Sequence, residues 1–396
     1  MLDGVSAPHQ QSRRLAAVQP PVIPIVGRWT AETAGTISLG QGIVSYGPPP
    51  DVLEAVRRFG SSPGDHRYGP VEGLPELVEA IESKLERENG FTVRPSSRVV
   101  VTAGGNLAFV NAVLAITDPG DEVILPVPYY FNHEMAIVIA GAVPVGVRCQ
   151  ANYQLDVQAI ADAVTPRTRA VVTVSPNNPT GAVYTEDSLR AVSSLCSARG
   201  IFHVHDEAYE YFTYGGARHF SPGSNAGAHA YTISLFSLSK AYGMASWRVG
   251  YMVIPESLWM AVNKIQDTLL ICPPAVSQHA AVAALAVGRE YLRAHLPRLD
   301  AMRRHILAAL GDGSLPCEAP AVEGAFYYLV RVHTPVDAMT LVERLIKENR
   351  VATVPGSAFA DASGCSIRIS YGALDPETME EGLGRLVAGL RAVPRL

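Results

Sequence analysis

The feature that most constrains the fold of this chain is an alternation of short apolar runs with helical patterns between residues 98 and 239. The apolar runs have the length of buried strands, and the segments between them are long enough for helices. Short apolar strands that alternate with helices predict an α/β fold, with a mostly parallel sheet covered by helices on both faces. The predicted strands cover 98–103, 121–128, 170–175, 201–208 and 232–239, and the predicted helices cover 106–116, 131–141 and 186–200.

The pattern changes near residue 289 and indicates a smaller domain of α+β type. Helical patterns there cover 289–310, 337–349 and 376–393, and strand patterns cover 325–332 and 365–372. Pro297 is expected to kink or divide the first helix, because proline disrupts the interior of an α-helix. The prediction is an N-terminal arm over 1–36 that packs on the small domain, a large domain over 37–288 and a small domain over 289–396.

The composition excludes several classes of protein. The chain carries 32 basic and 37 acidic side chains, and its net charge is −5. Without a basic stripe, a nucleic-acid partner is not expected. No run reaches the roughly 20 apolar residues that cross a bilayer, so no membrane association is expected. The five cysteines form no CxxC pair, which favours a reduced, cytoplasmic protein.

Only four of the basic residues are lysines, so an enzyme that needs a lysine amine has few candidates. Lys84 and Lys347 lie in charged helical segments, where solvated side chains are expected, and Lys264 also lies in a predicted helix. Lys240 instead follows an apolar strand, in the segment FSLSKAYGMASWRVGY (236–251). Burial or neighbouring cations lower the pKa of a lysine, and its neutral amine can then form a Schiff base.

Unusual residues cluster where the predicted strands end, which is where parallel α/β sheets bind ligands. Gly104, Gly105 and Asn106 follow one strand and begin a helix, and such a helix N-terminus suits a phosphate. The irregular loop SPNNPTG (175–181) follows the next strand. Asp206 ends an apolar strand, so its carboxylate needs a cationic or hydrogen-bonding partner.

Two other kinds of site find little support in the sequence. His203 and His205 lie on one face of a strand, but no cysteine or carboxylate follows at metal-ligand spacing, so no metal is predicted. The glycines after the first predicted strand do not have the GxGxxG spacing, which argues against a nicotinamide dinucleotide.

The motifs SPNNPTG, DEAY and SLSKAYGMASWRVG occur in this order, and the chain resembles fold-type-I pyridoxal-phosphate enzymes, the class I/II aminotransferases. The resemblance extends from SLGQG to SIRISYG, and the segment DEAYEYFTY is most similar to the subgroup that acts on aromatic amino acids and methionine. It implies a mostly parallel seven-stranded sheet in the large domain. It also implies ping-pong transfer of an amino group from an L-amino acid to a 2-oxo acid, with pyridoxal 5'-phosphate as cofactor.

The resemblance gives the ring of the cofactor a set of partners. Lys240 would bind the cofactor covalently and later move the proton at the substrate Cα. Asp206 would keep the pyridine nitrogen protonated, so that the ring accepts electrons. Tyr209 and Asn178 would bind the phenolic oxygen, and Tyr130 would stack on the ring.

The resemblance also implies phosphate and substrate contacts. The expected phosphate ligands are Gly104, Gly105, Asn106, Ser237, Ser239 and Arg248. Tyr68 would reach the phosphate of a neighbouring subunit, which makes a homodimer part of the site. Arg368 would bind the α-carboxylate of the substrate as a bidentate pair, beside Asn178, and Gly42 would close over the substrate.

Other activities on this scaffold remain open. A lyase or γ-replacement enzyme similar to ACC synthase begins with removal of the same Cα proton. A ligand-sensing regulator would carry a DNA-binding domain ahead of this body, and only about 36 residues precede TISLGQG, without a helix-turn-helix pattern. No second arginine marks a distal carboxylate, and loops rich in tyrosine, phenylalanine and methionine favour an apolar or aromatic substrate side chain.

Overall fold

The computed structural model describes residues 12–93, 95–311, 313–362 and 364–394. Its strands are β1 (Ile37–Ser38), β2 (Ser97–Thr102), β3 (Glu122–Val127), β4 (Val143–Arg148), β5 (Thr168–Val174), β6 (Phe202–Asp206), β7 (Thr232–Ser237), β8 (Gly250–Pro255), β9 (Cys317–Glu318), β10 (Tyr327–Val332), β11 (Val351–Ala352), β12 (Val354–Pro355) and β13 (Cys365–Ser370).

The helices flank these strands along most of the chain. They are α1 (Arg13–Ala17), α2 (Val22–Glu32), α3 (Pro50–Arg58), α4 (Pro75–Lys84), α5 (Gly105–Ile116), α6 (Phe131–Ala140), α7 (Val157–Asp162), α8 (Glu186–Arg199), α9 (Leu238–Ala241), α10 (Trp259–Leu269), α11 (Ala275–Val287), α12 (Glu290–Arg293), α13 (Leu296–Leu310), α14 (Ala338–Asn349) and α15 (Pro376–Arg391).

Seven strands form the central sheet in the order β2-β8-β7-β6-β5-β3-β4. The pairs from β7 to β4 are parallel, and β8 is antiparallel to both of its neighbours. The predicted α/β fold with a mostly parallel seven-stranded sheet is therefore confirmed. The sheet is apolar along its strands because buried clusters cover both faces, one of them built with α5 and α6.

Helix ends follow the local sequence signals. The hydroxyl of Thr185 accepts a hydrogen bond from the backbone N–H of Ser188 at the start of α8. Gly200 ends the same helix in the left-handed region at φ 64°, where glycine has no steric penalty. Pro297 divides the predicted helix 289–310, because α12 ends at Arg293 and α13 begins at Leu296.

The C-terminal part of the chain contains a four-stranded antiparallel sheet in the order β12-β13-β10-β9. Helix α2 packs against α14 and β12, and β1 pairs in parallel with β11. Residues 1–11 of the predicted arm lie outside the described residues, and the boundaries at 36 and 288 remain predictions. No helix among the described residues has the length and hydropathy needed to cross a membrane.

Candidate active site

A cavity of about 660 Å³ lies where the parallel strands of the central sheet end. It is lined by most of the site residues predicted from sequence, which come from segments far apart in the chain. They are Gly42, Gly105, Asn106, Tyr130, Asn178, Asp206, Tyr209, Ser237, Ser239, Lys240, Arg248 and Arg368. Gly104 adjoins Gly105 in the chain but does not itself line the cavity, and Tyr68 does not line it either.

Lys240 enters the cavity from the short helix that follows β7. The hydroxyl of Ser237 caps this helix by accepting a hydrogen bond from the backbone N–H of Ser239 at 3.2 Å. The Nζ atom of Lys240 donates to the carbonyl of Gly42 at 2.6 Å. The cap fixes the turn, so the amine is presented to the cavity from a rigid element.

The charge around Lys240 favours its neutral form. Burial, followed by the nearby cations Arg368 and Arg248, lowers the pKa of its amine to about 8, and Asp206 opposes the shift. Desolvation and like charges both penalise the ammonium. Lys240 therefore has the lowered pKa that its sequence position predicts.

Asp206 is the last residue of β6, and its carboxylate reaches the cavity. Its Oδ2 atom lies 3.2 Å from Nε2 of His133, and its Oδ1 atom accepts from the backbone N–H of Ala208 at 3.0 Å. His133 itself stacks on Phe109 with ring centroids 4.0 Å apart. These contacts supply the partner that the sequence analysis required, although His133 was not identified there.

Tyr209 lies in a turn over 208–211 that follows β6. Its hydroxyl is 2.9 Å from the hydroxyl of Tyr327 and accepts from Nδ2 of Asn178 at 3.4 Å. Burial is the main reason why the pKa of Tyr209 is raised well above its ordinary value. The sequence analysis missed Tyr327, because its strand AFYYLVRV has the pattern of plain core.

Arg368 is buried, with only 3% of its surface exposed. Its two terminal nitrogens donate to Oδ1 of Asn178 at 2.9 Å and to the carbonyl of Gly40 at 2.7 Å. The guanidinium lies over the ring of Tyr327, 4.6 Å from its centroid. Its Nε atom is buried without a hydrogen-bond partner, and the guanidinium lines the cavity, where a carboxylate could reach it.

The start of α5 forms a cradle for an anion. Gly104 precedes this helix at φ 84°, and a Cβ atom there would collide with the guanidinium of Arg248. Glycine thus lets Arg248 approach the helix N-terminus, which carries a partial positive charge. Gly105 and Asn106 from the helix line the cavity together with Ser237 from β7.

Tyr130, Gly42 and Tyr68 are also predicted site residues, and they differ in where they lie relative to the cavity. Tyr130 is half-buried and accepts a hydrogen bond from Asn132 at 2.7 Å. Gly42 passes so close to Tyr327 that an added Cβ would lie 2.7 Å from the tyrosine oxygen. Tyr68 is 81% exposed and does not line the cavity, so this chain alone does not bring it to the other site residues.

One end of the cavity is apolar, and the sequence analysis did not identify it. Helix α2 contributes Ile23, Val26, Gly27 and Ala31 to this end. Nothing lies within 4 Å of a Cβ atom added at Gly27. Gly27 and Ile23 are exposed, so the helix borders an open part of the cavity.

The strand histidines are buried and share one hydrogen-bond partner. The hydroxyl of Thr173 lies 2.7 Å from Nε2 of His203 and 2.6 Å from Nδ1 of His205. Burial lowers the pKa of His203 to about 3, which favours the neutral ring. Neither histidine belongs to a group of potential metal ligands among the described residues.

The expectation for Lys84 was wrong. Its side chain is 2% exposed rather than solvated, and its Nζ atom lies 2.6 Å from the carboxylate of Glu210. Glu210 is 126 residues away in sequence, so the local run of charges around Lys84 gave no sign of the partner.

The comparisons agree with this geometry. The family model described as "Aminotransferase class I and II" matches residues 34–386. An "Aspartate/prephenate aminotransferase" of Thermus thermophilus is 36% identical over 94% of this chain and 97% of its own length. An "Aromatic-amino-acid aminotransferase 2" of Thermococcus litoralis is 32% identical over 95% of this chain and 97% of its own length.

A solved structure shows the same similarity in three dimensions. An aspartate aminotransferase from Thermus thermophilus with maleate has a TM-score of 0.86 and 34% identity, covering 96% of this chain and all of the other. An aromatic aminotransferase from Pyrococcus horikoshii has a TM-score of 0.85 and 32% identity, covering 92% of this chain and 98% of the other.

Proposed function

Because the chain belongs to the aminotransferase class I and II family, and is a pyridoxal-phosphate-dependent aminotransferase, we propose which amino acids it uses and how. The donor is an L-amino acid with an aromatic or methionine-like side chain, and the acceptor is a 2-oxo acid. The observation that carries the proposal is Lys240, whose amine, with its lowered pKa, shares one cavity with Asp206 and Arg368.

The residues of the cavity fit the cofactor. The glycine before α5 lets Arg248 approach the helix N-terminus, and these groups with Ser237 and Ser239 would hold the phosphate. Asp206 would hold the pyridine nitrogen, with His133 behind its carboxylate. When bound, pyridoxal phosphate supplies an electron-accepting ring that stabilises a carbanion at the substrate Cα.

Lys240 provides the covalent attachment and the base. An amine with a pKa of about 8 is neutral in a useful fraction of molecules near neutral pH, which is what proton transfer at Cα requires. The amine of Lys240 can break its hydrogen bond to the carbonyl of Gly42 while the central sheet stays unchanged. We propose that the same amine takes the proton from the substrate Cα and would deliver it to C4′ of the cofactor, which is the proton shift that transamination requires.

Arg368 orients the substrate. Each terminal nitrogen has a second N–H beyond the one that it donates within the protein, and these would bind the α-carboxylate as a pair, a geometry that a guanidinium provides and an ammonium does not. A fixed carboxylate determines which bond at Cα faces Lys240. Asn178 supports this placement, because its side-chain oxygen already accepts from the same guanidinium.

The charge inventory of the cavity supports an apolar donor. Asp206, Lys240, Arg248 and Arg368 are the charged side chains among its described lining residues, and each has a role with cofactor or α-carboxylate. No described cation remains for a distal carboxylate. The apolar surface of α2 provides the alternative contact for the substrate side chain.

A panel of donors tests the side chain. Phenylalanine, tyrosine, tryptophan and methionine are expected to give a higher kcat/KM than aspartate and glutamate. Gly27→Leu, which fills the open space beside α2, is expected to reduce kcat/KM for tryptophan more than for alanine. A preference for aspartate or glutamate in the wild type would overturn the proposal.

We propose a ping-pong reaction, because one lysine and one carboxylate-binding arginine serve donor and acceptor in turn. A donor added without acceptor is then expected to convert the cofactor stoichiometrically to its amine form and release one 2-oxo acid per site. A lyase or γ-replacement enzyme on this scaffold would instead return to the starting spectrum, and this result would favour the alternative.

We also propose a cytoplasmic homodimer in which Tyr68 acts in the partner's site. Its exposure supports this assignment, as do the exposed apolar residues Leu53, Met260 and Ile271. Mixing the Tyr68→Phe variant, whose activity is expected to be reduced, with the inactive Lys240→Ala variant tests it. Hybrid dimers regain one site with both side chains if Tyr68 crosses the interface, and no activity returns if it does not.

A further inference from the structure

A buried ionic cluster lies outside the cavity, on the far side of the turn that carries Tyr209. We call it the Lys84 cluster, and its members are Lys84, Asn89, Glu207, Glu210, Ser221 and His219. None of its members lines the cavity. Neither the family resemblance nor the proposed reaction gives these residues a role.

Lys84 is the centre of the cluster. It ends α4, and its Nζ atom lies 2.6 Å from each carboxylate oxygen of Glu210 and 2.7 Å from Oδ1 of Asn89. These acceptors match the three donors of an ammonium group. Glu207, Glu210 and His219 resemble a metal site in spacing, but the ammonium already supplies the cation beside Glu210.

The cluster holds both ends of the turn that presents Tyr209. The amide of Asn89 donates to Glu210 at 2.9 Å and to the hydroxyl of Ser221 at 2.8 Å. Ser221 donates in turn to the carboxylate of Glu207. The cluster therefore holds Glu207, two residues before Tyr209, and Glu210, directly after it.

The same ammonium touches the strand that leads to the catalytic lysine. Its Nζ atom lies 4.6 Å from the ring centroid of Phe236, which directly precedes Ser237. A cation over an aromatic ring is a favourable contact that gains strength when water is excluded. One buried group thus contacts both the turn after Asp206 and the strand before Lys240.

The turn has few backbone bonds of its own, so side-chain contacts to other segments hold it, among them the hydroxyl of Tyr211, which donates to Glu88 at 2.6 Å. Among the described bonds, Glu210 N–H donates to the carbonyl of Glu207 at 3.0 Å, and Phe212 N–H donates to that of Tyr209 at 2.8 Å. We propose that Lys84 is a positioning residue whose ion pair with Glu210 fixes the place of Tyr209 at the cofactor. The inference rests on the proposed function of the cavity.

The test uses two substitutions that separate charge from position. Lys84→Met leaves the carboxylate of Glu210 buried and unpaired, which is strongly destabilising. The double variant Lys84→Met/Glu210→Gln removes that unpaired charge and lacks the ion pair between Lys84 and the turn, while the hydrogen bond from Tyr211 to Glu88 remains. Lys347→Met is the control, because it breaks an exposed lysine–glutamate pair on α14.

Three measurements on each full-length protein decide the outcome. They are the melting temperature, the dissociation constant for pyridoxal phosphate, and hydrogen exchange of the peptide over 206–212 in the cofactor-free protein. The double variant is expected to recover most of the melting temperature. Its cofactor affinity is expected to stay about tenfold weaker and its 206–212 exchange faster, because a charged hydrogen-bond network is missing.

The results that overturn the proposal are distinct from failure of the proposed function. If the double variant binds the cofactor as tightly as wild type and exchanges at the same rate, Lys84 has only a structural role. If Lys84→Met does not fold, Glu210→Gln alone gives the same comparison. If wild type itself binds no pyridoxal phosphate, the function of the cavity is wrong, and the exchange measurement still reports on the turn.

Discussion

Lys240 and Lys84 are both withdrawn from water, but their surroundings are opposite. The amine of Lys84 has acceptors from a carboxylate and an amide. The amine of Lys240 has one carbonyl acceptor and two cations nearby. The Lys84 amine thus has a hydrogen-bond acceptor for each of its donors, whereas burial and nearby cations lower the pKa of Lys240, so Lys240 is prepared to react.

The comparison teaches that burial of a lysine does not by itself mark a catalytic group. What differs is the supply of compensating acceptors, which is rich in the Lys84 cluster and poor in the cavity. The two regions are adjacent because β7 and the turn over 208–211 contact Lys84 through Phe236 and Glu210 and line the cavity through Ser237 and Tyr209.

Replacing Lys240 is expected to abolish the reaction in the cavity and to leave the fold intact. Lys240→Ala is expected to lower the transamination rate by at least about 10³-fold, since both the nucleophile and the base are lost. The visible absorbance of bound cofactor is expected to shift at the same time. Lys347→Ala serves as the control, and near-normal rates in Lys240→Ala would contradict the assignment.

Arg368 tests whether fixed geometry matters as much as charge in the cavity. Arg368→Lys keeps the charge but loses the planar fork, and kcat/KM for the donor is expected to fall about 10²-fold. Cofactor content is expected to stay near one per chain. Steady-state kinetics with the measured cofactor content checks both, and an unchanged kcat/KM would remove Arg368 from substrate binding.

The pH dependence of cofactor capture sharpens the difference between the lysines. Only the neutral amine reacts, so capture by the cofactor-free protein is expected to accelerate as pH rises through about 8. Arg368→Met removes a like charge that disfavours the ammonium, so its midpoint is expected to move to higher pH. Stopped-flow absorbance gives both values. A wild-type midpoint near the ordinary lysine pKa of about 10.4 would contradict the electrostatic account.

Tyr327 gives the smallest expected effect. Tyr327→Phe removes the hydroxyl that lies 2.9 Å from that of Tyr209. The lost hydrogen bond is expected to raise the activation free energy by about 1 kcal/mol, which reduces kcat roughly fivefold. The pH midpoint of the cofactor spectrum is expected to move as well, because Tyr209 is repositioned. A normal spectrum together with a normal kcat would show that this hydroxyl has no part in the reaction.

The sequence predicted the fold and most of the cavity because their signals are local. Apolar strands, the glycines before α5 and the loop that ends in Lys240 are each visible within a few residues. Strand β4 escaped detection because Pro144 and Gly146 interrupt its apolar pattern. Strand β8 was not predicted separately, because it begins at Gly250, inside the segment 236–251 that contains Lys240.

The parts that could not be predicted depend on contacts between distant segments. Lys84 lies in a charged helical segment, and only its pairing with Glu210 in three dimensions shows that it is buried. Tyr327 and His133 occupy segments with the pattern of ordinary core. Their roles come from neighbours that the fold brings within 3.2 Å, and no local spacing indicates this.

The most direct measurement of the central claim is reductive trapping of the holoenzyme. Borohydride reduction followed by peptide mass spectrometry identifies the lysine that carries the cofactor. The account predicts a single pyridoxyl adduct on the peptide that contains Lys240 and none on the peptide that contains Lys84. An adduct on Lys84, Lys264 or Lys347, or no adduct on a cofactor-loaded protein, would contradict it.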